Sequence, residues 1–289
     1  MKNRTILGLA LLLLGTSGSV LAEDEPLFVC VARDGLSLLT SLSESFVTEK
    51  RLGNIQIERE VHETVFTALN AAKADLVMLG WGFNKEQMAE LRKAHPDGVA
   101  QRTLAVDSAA LVTSAKGIMK TISQEQLRKL FGSQVDVNGK PVLAQQDRIE
   151  LAGEKVRVIA LNKGHPTQLI LRRIAMNNGP LGNHIQHFNG TDQILGELAK
   201  DPHAVALVRY TEPMPEGIVT IGVGENEGST IHPSEETVRT GAYPISMPLI
   251  AIWRTTSPPT VAQFVAYAEG NMGRGLIRRM GYVLPVEPK

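Results

Sequence analysis

The feature that most narrows the fold is an alternation that recurs along the chain. A short apolar run is followed by a polar or glycine-containing turn, then by a segment with helical spacing. Leu27–Ala32 is the first such run, Arg33-Asp34-Gly35 its turn, and Leu36 to Lys50 the helix, with Leu36, Leu39, Leu42, Phe46 and Val47 on one face. Asn54–Glu60 alternates like a strand, His62-Glu63-Thr64 reads as a second polar turn, and Val65 to Ala72 as a second helix. Asp75–Leu79 is a third strand, ending in Gly80-Trp81-Gly82. Strands alternating with helices predict an α/β fold with a largely parallel sheet. Ligands of such sheets bind at the carboxyl ends of the strands, where these polar turns fall.

The clearest of these units lies in the second half. Residues 156–161, Val-Arg-Val-Ile-Ala-Leu, read as a buried strand. The polar turn Asn162-Lys163-Gly164-His165 follows, and Pro166 stands at the first position of a helix that carries Leu169, Leu171, Ile174 and Met176. A helix start presents unpaired N–H groups and a positive dipole end to one point, which suits an anion. The plain alternative is an ordinary well-capped strand-to-helix loop.

Between these regions Thr103–Thr113 reads as a long apolar strand broken by Asp107-Ser108. Ser123 and Gln126 fit a capping box for the helix that Gly132 stops. Asn138-Gly139 suggests a hairpin turn. Thr191 is placed to cap a helix through Lys200, and Ala204–Tyr210, Gly217–Val223 and Leu249–Trp253 read as strands. Short helices are expected at Glu235–Arg239, Thr260–Glu269 and Gly275–Met280.

The first 22 residues have the form of a signal peptide: Lys2 and Arg4, an apolar run from Ile6 to Leu14, and Val20-Leu21-Ala22 before Glu23. A secreted, periplasmic chain without stable membrane insertion is therefore expected. Beyond that segment 28 basic residues face 30 acidic ones, which argues against nucleic-acid binding by general charge. Cys30, the only cysteine, lies inside an apolar run and reads as a buried strand thiol. His184 and His187 have metal-pair spacing, but no cysteine or carboxylate nearby completes a set, so both are expected at the surface. No cofactor is indicated.

Three further segments carry a resemblance. Ile122-Ser-Gln-Glu-Gln-Leu-Arg-Lys-Leu-Phe-Gly132, Ala204-Val-Ala-Leu-Val-Arg-Tyr210 after Asp201-Pro202, and Tyr243-Pro-Ile-Ser-Met-Pro-Leu249 stand in register over nearly the whole chain. Together they resemble the PstS-like phosphate-binding proteins of ABC importers. The resemblance implies the class II periplasmic-binding-protein fold, two α/β lobes with the ligand in the cleft. It puts lobe I at 23–106 plus 246–289 and lobe II at 107–245. It also implies a small, phosphate-like anion as ligand, an ABC permease as partner and no catalysis.

On the same resemblance the ligand-binding candidates are Asp34, Gly35 and Ser37 at the first anion loop, with Glu63 and Thr64 at the second. Asp107 and Ser108 stand near the crossing, and Lys163, Gly164, His165 and Thr167 at the third loop. The pattern departs from the family at all three loops. Leu161 occupies the family's arginine position, and His165-Pro166-Thr167 replaces Ser-Gly-Thr. The first loop has Arg33 and Gly35 where the family has paired Ser/Thr before Leu36, and the second loop is not glycine-rich. Lys163 and His165, with Arg33 moving in, would then supply the missing donors; otherwise they are solvated loop residues. Trp81 reads either as a lid over a ligand or as hinge-side packing. The departures keep open a binding-protein scaffold that senses or docks without transport. A hydrolase built on Ser108, Ser37 or a histidine is the third reading, although no nucleophile–base spacing supports it.

Overall fold

The structure is a computed structural model and describes residues 26–133, 148–151, 153–225 and 227–286. The expected signal peptide, residues 1–22, and the expected hairpin turn at Asn138-Gly139 lie outside the described residues. Strands β1 (Val29–Ala32), β2 (Gln56–Arg59) and β3 (Leu76–Gly80) alternate with helices α1 (Leu36–Lys50), α2 (His62–Asn70) and α3 (Lys85–Ala94). Then follow β4 (Val99–Ser114), β5 (Thr121–Ser123), α4 (Gln124–Phe131), β6 (Ile149–Leu151), β7 (Glu154–Leu161) and α5 (Pro166–Ala175). The chain continues through β8 (Gln186–Phe188), α6 (Thr191–Lys200), β9 (Ala204–Arg209), β10 (Ile218–Thr220) and β11 (Gly222–Gly224). It closes with α7 (Glu235–Arg239), β12 (Ser246–Arg254), α8 (Pro259–Glu269) and α9 (Asn271–Arg279).

The main sheet runs β2-β1-β3-β12-β4-β9-β7-β6. β1 pairs parallel with both β2 and β3, which places their carboxyl ends together. β4 is the member that unites the sheet. Its residues 99–108 pair antiparallel with β12, and Ala109–Val112 pair antiparallel with β9. Asp107-Ser108 was expected to break this strand and does not. Asp107 accepts the N–H of Ser108 and is paired with Arg209, while the Ser108 hydroxyl donates to the carbonyl of Ile245 at 2.9 Å. Polar groups satisfied in this way are tolerated inside a buried strand.

Strand alternation buries both faces of the first half-sheet. Cys30, Ala32, Leu76 and Met78 join one core with Phe28, Leu38, Leu42, Phe46 and Phe264. Val31, Val77 and Leu79 point the other way, onto Val65, Leu69 and Leu91 of α2 and α3. Burial pushes the Cys30 thiol well above its ordinary pKa, with Asp75 adding to the effect, so it stays protonated and inert.

Four local expectations change. α2 starts at His62, so His62-Glu63-Thr64 is its first turn and not a loop; an acidic Glu63 there suits the positive end of the helix. Thr191 is the first residue of α6, and Gly190 holds the cap position without a side-chain bond. Residues 217–223 divide between β10 and β11, which pair with different strands. His184 is buried, not at the surface, and its Nε2 lies 2.8 Å from the carbonyl of Leu130. Ser123 and Gln126 do form the capping box of α4.

Candidate functional site

A cavity of about 790 Å³ opens where the carboxyl ends of β1, β2 and β3 face α5. β1 ends in Arg33 and Asp34, and β2 runs into Arg59, Glu60 and Val61; Glu63 stands in the first turn of α2, and Trp81 follows β3. From the opposite side α5 presents Leu169, Arg172 and Arg173, three and four residues apart and so on one helix face. Met247 of β12 lies at the floor.

The walls are fixed by short backbone contacts. The Asp34 carboxylate accepts the N–H of Gly80 at 3.0 Å, tying the ends of β1 and β3 together. A side chain at Gly80 would meet the Met247 sulfur at 2.4 Å, so the strand end needs glycine for close approach. Trp81 follows with φ +60°, a left-handed conformation that a bulky residue rarely adopts, and its N–H donates to the carbonyl of Pro248 at 2.9 Å. The strained turn presents the indole to α5, where the Arg173 guanidinium stacks 4.4 Å from the ring centroid.

Four arginines line this cavity against three carboxylates. Arg33 Nε is 3.8 Å from Asp34. Arg172 gives an Nε hydrogen to the carbonyl of Gly179 and an Nη2 hydrogen to that of Asn178, two of the five N–H donors of its guanidinium. Among the described residues Arg59, Arg172 and Arg173 have no ion-pair partner. Burial holds Arg173 below its ordinary pKa and the facing Arg33 cation adds to that, while Asp34 opposes it. Like charges that share a cleft without a full complement of carboxylates leave room for an anionic ligand.

A second charged group lies behind the first, outside the lining of this cavity. Arg209, at the end of β9, donates to Asp107 at 3.0 Å and to the carbonyl of Met280 at 3.1 Å, and its guanidinium carbon lies 4.0 Å from the ring centroid of Tyr282. Burial raises the Asp107 carboxyl above its usual range, and Arg209 pulls against that. His165 lies close enough to feel both charges: burial lowers its pKa, Arg209 lowers it further, and Asp107 opposes. Its Nδ1 accepts the backbone N–H of Thr167 at 3.3 Å and lies 2.9 Å from the Thr167 hydroxyl, so the ring caps α5 as a neutral acceptor.

That cap alters what the third loop offers. Pro166 has no N–H, Thr167 gives its own to His165 Nδ1, and Gln168 gives its own to the His165 carbonyl at 2.9 Å. The first-turn amides are spent within the chain. Of the candidates read from the sequence, Asp34 and Glu63 line the cavity, and Gly35 starts α1 beside Asp34. Ser37, Thr64, Lys163 and Gly164 are exposed and do not line it. Asp107, Ser108 and Thr167 are buried and His165 is half-buried; none of the four lines this cavity. Sequence reasoning missed Arg59, Arg172, Arg173 and Arg209. Two signals pointed to them: Arg172-Arg173 follow Leu169 at one helical turn, and Arg209, like Asp107, is a charge inside an apolar strand that needs a partner.

No protein-family model and no curated protein matches the sequence. Solved structures do match. One is described as a possible phosphate binding protein from Planctomyces limnophilus, with TM-score 0.76 and 14% identity over 89% of this chain and 92% of that one. A second is an ABC-type phosphate transport receptor from Vibrio cholerae, with TM-score 0.65 and 13% identity over 89% of this chain and 100% of that one. A third is PstS from Borrelia burgdorferi, with TM-score 0.65 and 13% identity over 90% and 99% of the two chains. At 13–14% identity the likeness is one of architecture: the chain has the two-lobe α/β fold of periplasmic binding proteins, as these phosphate-binding proteins do.

Proposed function

We propose that this chain is an exported, periplasmic solute-binding protein that captures a small oxyanion, phosphate or a related anion, and delivers it to an ABC permease. The lobes are 23–106 plus 246–289 and 107–245, and they close about the ligand. The observation that carries this reading is the arginine lining of the cleft, with Arg33 and Arg59 on one wall and Arg172 and Arg173 on the other. An anion between Arg33 and Arg173 replaces their mutual repulsion with two charge-assisted contacts, and so favours the closed form. No covalent step is involved. Ser108 is no nucleophile in this reading, because its hydroxyl is buried and donated to Ile245.

One observation favours a second reading, a binding-protein scaffold that senses or docks without transport. The α5 start, where the resemblance puts an anion loop, has its first amides consumed by His165. A thermal titration of the purified protein against phosphate, sulfate, phosphonates and small carboxylates separates the two. An anion present at about 100 times its Kd adds about 2.7 kcal/mol to the folded state. A raised melting temperature with any of these anions supports capture, and none with all of them supports the ligandless scaffold.

A further inference from the structure

We infer that the ligand of the cleft is an organic anion, a phosphate monoester or phosphonate with an apolar substituent, and not the bare inorganic ion. The inference rests on the anion-capture reading and names the substrate class for the same cavity.

Three observations carry it. The first is size: about 790 Å³, in a cleft partly open to solvent, gives room for an organic molecule. The second is the donor set. A desolvated inorganic oxyanion needs donors around all its oxygens. Among the lining residues there is no serine or threonine hydroxyl; the charged donors are the four arginines. The third is the apolar part. Val61 is 62% exposed and Leu169 41% exposed, two of the few large hydrophobic side chains left open to solvent, and they reach the same cavity from its two walls. Leu169 stands one helical turn before Arg172 and Arg173, so an apolar and a cationic surface share one face of α5.

The placement follows from charge. An anionic head sits between Arg33 and Arg173 beside Trp81. Its substituent extends toward Val61 and Leu169, which closure brings over it. Glu60 and Glu63 flank Val61 and disfavour a second anionic group at that end, so the ligand carries its charge at one end only.

The test is calorimetric titration of the full purified chain with inorganic phosphate, n-butyl phosphate, phenyl phosphate and phenylphosphonate, with n-butanol as the uncharged control. The esters and the phosphonate are expected to bind at least about tenfold more tightly than inorganic phosphate, the discrimination that burying one or more carbon groups supplies. Leu169→Ser, at an exposed position that leaves the core intact, is expected to shrink that ratio below about threefold. Its melting curve checks that it folds. Inorganic phosphate binding as tightly as the esters overturns this inference and leaves anion capture standing. An unchanged ratio in Leu169→Ser overturns the apolar contact. Binding of none of the four anions overturns this inference, and the capture reading falls with it only if sulfate and the small carboxylates also leave the melting temperature unchanged.

Discussion

Two arginine-centred regions lie close together and follow opposite rules. Behind the cleft, Arg209 has Asp107, the Met280 carbonyl and the Tyr282 ring around it, and Asp107 also takes the Ser108 N–H. In the cleft, Arg173 has an aromatic face and one long contact, 3.5 Å, to the Gly80 carbonyl. Arg59 and Arg172 face the same space without a carboxylate partner among the described residues. Burying a charge is costly, so the buried Asp107 carboxylate is held against the Arg209 guanidinium. A solvated cleft tolerates cations that face one another, because water and a ligand can stand between them. The contrast teaches that position in the fold, and not the presence of charged residues, separates a structural ion pair from an open cationic surface.

The largest expected effect tests the enclosed side. Asp107→Ala leaves the Arg209 guanidinium half-enclosed without its counter-ion and is expected to cost about 3 kcal/mol in urea unfolding. Asp107→Asn costs less, since its amide oxygen still accepts the Ser108 N–H. A loss under about 1 kcal/mol for the alanine variant would class the pair with surface salt bridges and erase the contrast. Arg173→Ala tests the other side. Folding stability should change by less than about 1 kcal/mol, the worth of an exposed cation–π contact. The variant should nevertheless lose the stabilisation of about 2.7 kcal/mol that a saturating anion confers. An undiminished shift would remove Arg173 from the site.

Gly35→Ala sharpens the comparison by testing the backbone under the cleft. Gly35 has φ +69°, and an added Cβ would lie 2.8 Å from Leu249 Cδ1 and 3.0 Å from Met78 Cε. A loss of about 1–2 kcal/mol is expected from the left-handed conformation alone, read from the urea midpoint; no loss would show that the entrance to α1 adjusts freely. The smallest effect concerns His165. Its pKa is lowered in the fold, so the stability it contributes is present above the unfolded value of about 6.5 and is lost as pH falls below it. His165→Asn keeps a good capping residue and should flatten the fall in stability between about pH 7.5 and 5 by at most about one proton. Identical slopes would place the ring in solvent in both states.

The alternation of strands and helices was legible because each apolar run carries its own period and its own turn. α1 and α7 fall where spacing puts them, and the Ser123–Gln126 box marks α4. The resemblance to phosphate-binding receptors led to the architecture that the solved structures share. The candidate site was less legible. A helix start looks alike in sequence whether its amides are free or spent, and nothing local tells that the charges of Asp107 and Arg209, from two other strands, act on His165. Arg172 and Arg173 read as ordinary helix surface until β1, β2 and β3 are seen opposite them. The missing information is tertiary in each case: which elements end up facing each other.

β4 has a consequence beyond the site it supports. One uninterrupted strand of 16 residues belongs to both halves of the molecule, and the apolar interior beside it runs unbroken from Phe28 to Val158. Neither half owns a complete set of strands without it, so they gain or lose their structure together, and heating should give one cooperative transition where a jointed pair would give two. A protease would find no slack connector there to cut. A change of angle between the halves would have to twist paired strands, because β4 stays hydrogen-bonded to β12 along one part and to β9 along the next.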